Sequence, residues 1–230
     1  MPKLVIANFK MNGSREFIEN WINDFSAEEK SSNEILVALP SPYLFIFNDK
    51  GLALSGQNVA NKESGAFTSQ LSAKMLKDCN VKYCLIGHSE ARQFLKETNE
   101  DVKEKFDQLK QESIQPILCI GEPIEVKEAS KTKDFLTTQL ELIDTYEDDL
   151  ILAYEPLWAI GTGLIPDVSD IQLAIDCIRN KFQKSIKVLY GGSVNSSNAS
   201  DISNKTEIDG LLVGGASLNP KEFAKIAQLC

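Results

Sequence analysis

The chain has 230 residues, enough for one large domain or two small ones, with 43% apolar and 25% charged side chains. That balance excludes a disordered polypeptide. A formal charge of −9 argues against a nucleic-acid binder, which carries a basic face, and means that an anionic substrate must be drawn in by a local positive field. The five cysteines (Cys79, Cys84, Cys119, Cys177 and Cys230) form no C-x-x-C pair and sit mostly in apolar runs, which points to buried thiols in a reducing compartment. No apolar stretch approaches the length of a membrane span, and residues 4–7 are too short for a signal-peptide core, so the expected location is cytoplasmic.

In chain order, short apolar, β-branched runs recur at residues 4–9, 35–39, 52–55, 83–86, 117–120, 151–154, 188–190 and 211–213. Stretches with helical spacing lie between most of them. Phe17, Trp21, Ile22 and Phe25 fall at i, i+4, i+5 and i+8, and Phe135, Leu136, Gln139, Leu140 and Ile143 share a face in the same way. Strand-like runs alternating with helices imply a parallel sheet, and their continuous apolarity implies burial on both faces. Eight βα units predict an α/β fold, a (β/α)8 barrel. The alternative is an open doubly wound sheet, which would carry G-x-G-x-x-G after an early strand; none is present. No repeat, low-complexity tract or linker divides the chain, so residues 1–230 read as a single barrel domain.

In a barrel the chemistry sits at the C-terminal ends of the strands. Polar residues and glycines gather there: Asn8 and Lys10, Gln57 and Asn58, His88 and Glu90, Cys119 to Glu122, Glu155, Gly191-Gly192-Ser193, and Gly214-Gly215. Asn8 and Lys10 share one alternating face, where the ammonium can meet a phosphate or charge developing on oxygen; a solvated lysine is the other reading. His88, the only histidine, precedes a helical stretch whose N-terminus favours a neutral ring. A neutral ring can donate to a carbonyl and shuttle a proton between adjacent oxygens, although most lone histidines are structural or solvated. Ser89 directly follows it, and sequence neighbours rarely face each other as a nucleophile and base must. One histidine and scattered cysteines do not make a zinc site.

The sixth run ends in Glu155, and Pro156 forbids further strand pairing. Leu157-Trp158-Ala159-Ile160 and Gly161-Thr162-Gly163 follow, a stiff start and a flexible end that suit a lid excluding water from a ligand. The other reading is a solvated glutamate opening an ordinary βα loop. Enclosed by Leu157, Trp158 and Ile160, the carboxyl is expected to have a raised pKa and to accept a carbon-bound proton. Tyr190-Gly191-Gly192-Ser193 and Val213-Gly214-Gly215-Ala216 end the last two runs. Their glycines allow close backbone approach, and the helix starts after them offer N–H groups to a phosphate.

These blocks closely resemble the triosephosphate isomerase family. The resemblance runs essentially end to end, from Asn8-Phe9-Lys10 through Gly65-Ala66-Phe67-Thr68, Gly87-His88-Ser89-Glu90 and Cys119-Ile120-Gly121-Glu122 to Gly214-Gly215-Ala216-Ser217-Leu218. It implies interconversion of D-glyceraldehyde 3-phosphate and dihydroxyacetone phosphate through an enediolate, in glycolysis and gluconeogenesis, without cofactor or metal. By the same resemblance Glu155 is the base, His88 the electrophile and Lys10 the electrostatic partner, with Glu90 supporting Lys10. Asn8, Lys10, Gly161, Ser193, Gly214 and Gly215 would contact the substrate. A homodimer through loop 57–72 is implied, with Thr68 reaching the neighbour's residues 8–10.

Three departures from the family pattern stand out. Ala91 replaces a usual arginine, and Ser69-Gln70 a usual Gly-Glu. In the family those charges pair across the dimer interface, and their joint loss avoids stranding one of them. After Gly163 the chain reads Leu164-Ile165-Pro166, where the family commonly has Lys-x-Ala. Aligned without a gap, Pro166 replaces a residue whose N–H bonds Tyr190 over the closed lid, and proline has no N–H to give. Closure is then expected to rely more on Ser193 with Gly163.

Overall fold

A computed structural model describes residues 2–28, 31–47, 52–145, 147, 149–160, 164 and 166–230. The first half contains β1 (Leu4–Asn8), α1 (Arg15–Ala27), β2 (Glu34–Ala38), β3 (Ala53–Gly56), α2 (Ala73–Asp78), β4 (Tyr83–Ile86), α3 (Ser89–Phe94) and α4 (Asn99–Gln111). The second contains β5 (Gln115–Ile120), α5 (Ile124–Glu128), α6 (Thr132–Gln139), β6 (Ile151–Tyr154), α7 (Val168–Arg179), β7 (Lys187–Tyr190), α8 (Ala199–Lys205), β8 (Gly210–Val213) and α9 (Pro220–Leu229). The strands pair in parallel and in sequence order, and β8 returns to β1 to close a barrel. The open sheet is therefore excluded.

Period-two alternation divides the core into two layers. Leu4 and Ile6, Leu36 and Ala38, Leu85, Ile117 and Cys119, Ile151 and Ala153, Leu189, and Leu212 form one buried cluster, the filling of the barrel. The alternate residues, among them Val5, Val37, Ile86, Leu118, Leu152, Val188 and Leu211, face outward and pack under the helices. The registers agree: Ile6 pairs with Leu36 and Leu212, and Cys119 with Ala153, so inward positions meet inward positions.

The helices follow from local chemistry. α1 starts where the Ser14 hydroxyl accepts the Phe17 N–H, and its apolar face buries Ile18, Trp21 and Ile22. Trp21 meets Phe9 edge to face at 5.2 Å, and its Nε1–H donates to Ser217 O at 2.9 Å, which ties this helix to the turn after β8. α4 begins with a reciprocal capping box between Thr98 and Asp101. The stripe from Phe135 to Ile143 suggests a longer helix than the one that forms. α6 stops at Gln139, after Thr137 and Thr138 turn their hydroxyls back onto the carbonyls of Lys133 and Asp134. Leu140 and Ile143 are still buried, from the turn beyond.

The β1–β8 seam sets a sharp test. A Cβ on Gly210 would lie 1.8 Å from Leu4 O, whereas one on Gly215 would meet nothing within 4 Å. Gly210→Ala is expected to destabilise the fold by about 3 kcal/mol in urea titration, since the contact is with strand backbone. Gly215→Ala should stay within about 0.5 kcal/mol of the parent. Equal midpoints for the two variants would contradict the seam.

Candidate active site

The inward parity of the strands continues past their ends. Asn8, Glu155, Gly191 and Gly214 each lie two residues beyond an inward residue (Ile6, Ala153, Leu189 and Leu212), so they project into the mouth of the barrel. With Lys10, His88, Ser193 and Gly215 they line a cavity of about 350 Å³. Glu90 stands behind Lys10, bonded to it. Gly161 lies outside the described residues.

At the centre, His88 Nε2 is 3.1 Å from Glu155 Oε1, and the Ser89 N–H donates to Glu155 Oε2 at 3.2 Å. Glu155 is 2% exposed. Burial pushes its carboxyl up, but the imidazole, the Ser89 N–H and Lys10 together hold it below the usual carboxylate range. This corrects the expected raised pKa: the carboxyl is buried, and its charged and hydrogen-bonding partners outweigh that burial. Burial pulls the imidazole down, and the facing carboxylate pulls it up and prevails, so the helix terminus does not set its pKa. The expected single proton on the ring still fits the geometry. His88 caps α3 by accepting the Glu90 N–H at Nδ1, 3.2 Å away, which assigns the ring proton to Nε2, on the side of Glu155.

Lys10 adopts the left-handed region, with φ of 52°, rare for a side chain of this kind. Three contacts fix it there. Its N–H donates to Asn8 Oδ1 at 3.0 Å, its carbonyl accepts from Gln57 Nε2 at 2.9 Å, and its Nζ donates to Glu90 Oε1 at 2.6 Å. Such a conformation, held from three sides, places the only ammonium that lines the cavity among the described residues. Asn8 Nδ2 lies 3.4 Å from His88 Nε2; with the ring proton on Nε2 both atoms are donors, so the two side chains touch without a hydrogen bond.

Two glycines make room for Glu155, Gly121 for its backbone and Gly191 for its side chain. A Cβ on Gly121 would overlap Glu155 O at 1.8 Å, and one on Gly191 would sit 3.0 Å from Glu155 Cγ. The expected helix starts are placed differently. α8 begins only at Ala199, beyond Ser193, and Gly215–Leu218 is a 3-10 turn closed by the Ser217 N–H on Gly214 O. Ser193 Oγ donates to Ala159 O at 2.6 Å; its expected partner Gly163 lies outside the described residues. Tyr190 Oη is buried without a hydrogen-bond partner among the described residues, and Pro166 is buried.

Sequence reasoning passed over Glu122, which it placed at a strand end without a role. Its Oε1 accepts from Tyr154 Oη at 3.0 Å and from Trp158 Nε1 at 3.1 Å. A buried acid between a strand and a proline was the available signal. Also missed was a buried node beside loop 57–72, in which Lys105 bonds Glu97 and Asn58, and Asn58 bonds Glu97 at 2.6 Å. Among the described residues no group of three or more His, Cys, Asp and Glu is arranged to hold a metal ion, and no helix is long and apolar enough to cross a membrane.

His88→Leu removes the largest influence that lowers the Glu155 carboxyl and keeps the burial that raises it. Carboxyl 13C NMR should then show Glu155 titrating at higher pH than in the parent. An unmoved titration would contradict the pairing.

The family model described as triosephosphate isomerase matches residues 3–230. A triosephosphate isomerase of Baumannia cicadellinicola is 41% identical, the alignment covering 98% of this chain and 95% of the relative. Those of Mesomycoplasma hyorhinis (40%; 98% of each chain) and Debaryomyces hansenii (39%; 96% of this chain and 95% of the relative) are similar over the same span. A match over nearly the whole chain, on a closed eight-stranded barrel with this cavity at its mouth, places the chain in the triosephosphate isomerase family.

Proposed function

We propose that this chain, one barrel domain over residues 1–230, interconverts D-glyceraldehyde 3-phosphate and dihydroxyacetone phosphate in glycolysis and gluconeogenesis, in the cytoplasm, without cofactor or metal. The observation that carries the reading is the contact of Glu155 with His88 in one cavity with Lys10 and the glycine turns after β7 and β8.

The geometry gives each group a task. The substrate phosphate lies against Ser193, Gly214 and Gly215, with Gly161 as a further contact, and Lys10 supplies the local positive charge that a chain of net charge −9 requires. The substrate's two reacting carbons lie between Glu155 and His88 and replace their direct contact. Glu155 then loses the hydrogen bond that holds its carboxyl low, while its burial remains, so it becomes a stronger base as the substrate seats. It takes a proton from the carbon beside the carbonyl and returns it to the neighbouring carbon. The Nε2–H of His88 donates to the enediolate oxygens in turn, and Lys10 and Asn8 stabilise their charge. These acid–base roles are the long-established ones of the family.

A homodimer fits the surface. Met11 is 96% exposed after β1, and Phe67, Met75, Phe94 and Leu95 are exposed on loop 57–72, on α2 and at the end of α3. In the dimer Thr68 reaches the neighbour's residues 8–10. Without a charge pair through Gln70 and Ala91, the interface rests on apolar contact.

Three outcomes are expected. Glu155→Gln should abolish turnover while retaining binding of a phosphorylated substrate analogue; full turnover would sink the reading. Specific activity should fall on dilution together with the dimer fraction in sedimentation, and a fully active monomer would contradict the dimer. Pro166→Ala, which restores an N–H opposite Tyr190, should slow lid opening in relaxation dispersion, and unchanged rates would count against the altered latch.

A further inference from the structure

We propose that Lys127 is a positioning residue for Glu155, acting through the indole of Trp158; the proposal rests on Glu155 being the base. Residues 155–158 are laced onto the end of β5. The Glu155 N–H donates to Ile120 O at 2.7 Å and the Leu157 N–H to Glu122 O at 3.0 Å. Trp158 Nε1–H donates to Glu122 Oε1, which also accepts from Tyr154 Oη. These bonds fix one edge of the indole, and Lys127 takes a face. Its Nζ lies 3.8 Å from the ring centroid.

Packing does not explain why Lys127 is there. It stands on α5, a five-residue helix with no buried residue. Its anchor is Asp170 in the first turn of α7, 2.5 Å from Nζ. The pair joins a helix before β6 to one after it, across the segment that carries the carboxylate, and places the ammonium over the ring. A half-exposed ion pair alone contributes little to stability. A cation over an indole adds more, and a reacting group displaced by a fraction of an ångström costs rate rather than stability. Lys127 also acts on the acceptor. Burial pushes the Glu122 carboxyl up, and Lys127 is among the groups that oppose this, which favours the ionised form to which both donors bond.

The test compares Lys127→Met, Lys127→Arg and the exchange Lys127→Asp with Asp170→Lys. Each is assayed with ordinary substrate and with substrate deuterated at the carbon that loses its proton. Lys127→Met should lower kcat roughly fivefold with KM nearly unchanged, and should raise the primary isotope effect, because the misplaced base makes proton abstraction more rate-limiting. The Trp158 indole 1H–15N signal should move while that of Trp21 and the urea midpoint stay put. Lys127→Arg should restore kcat; the exchange should not, because it leaves a carboxylate over the ring. The proposal is overturned if Lys127→Met matches the parent in kcat and isotope effect, or if the exchange restores both. The indole signal reads the clamp without reference to the base, whereas turnover of Glu155→Gln reads the base, so the two can fail separately.

Discussion

The short contact between His88 and Glu155 across the mouth of the barrel is the interaction on which the rest of the site turns. A buried carboxylate facing apolar residues alone would be protonated near neutrality and useless as a base. Here the imidazole and the Ser89 N–H keep it ionised, and the same imidazole is the group a substrate must displace to reach it. On the proposed reading, the arrangement stores a base in its ionised form and releases its strength on substrate binding. It requires that the ring carry its proton on Nε2, which the α3 cap at Nδ1 supplies.

Strand geometry delivers these groups together. Because each inward strand residue is followed two positions later by a mouth residue, the parity that fills the barrel with Ile6, Ala153 and Leu189 also aims Asn8, Glu155 and Gly191 at one point. Close packing there leaves no room for a side chain on Gly121, where the Glu155 backbone carbonyl sits, or on Gly191, beside the Glu155 side chain. Lys10 completes the set at the expense of an unfavourable backbone conformation, which Asn8, Gln57 and Glu90 hold in place.

Much of this was legible in the residues themselves. Eight apolar runs marked the strands, with ends within two residues of those observed, because strands buried on both faces read as continuous apolarity. Position at the strand ends pointed to Asn8, Glu155 and the glycine turns. What was not legible depended on partners far apart in the chain. The depressed Glu155 carboxyl comes from His88, 67 residues away, and burial considered alone gave the wrong sign. The clamp on Trp158 draws on Glu122, Lys127 and Asp170 from three elements, each an ordinary surface or loop charge when read locally. The shortness of α6 came from two threonines whose back-bonding competes with an apolar stripe that otherwise favours continuation.

The central claim is that a carboxylate in exchange with solvent carries the proton between adjacent carbons. The most direct test is to convert D-glyceraldehyde 3-phosphate with the purified chain in 2H2O and to follow the product by NMR. The account predicts dihydroxyacetone phosphate with solvent deuterium at the hydroxymethyl carbon, in proportion to the exchange of Glu155 before it returns the proton. Product formed rapidly but free of solvent deuterium under all conditions would mean direct hydrogen transfer between the carbons, and would contradict the role assigned to Glu155.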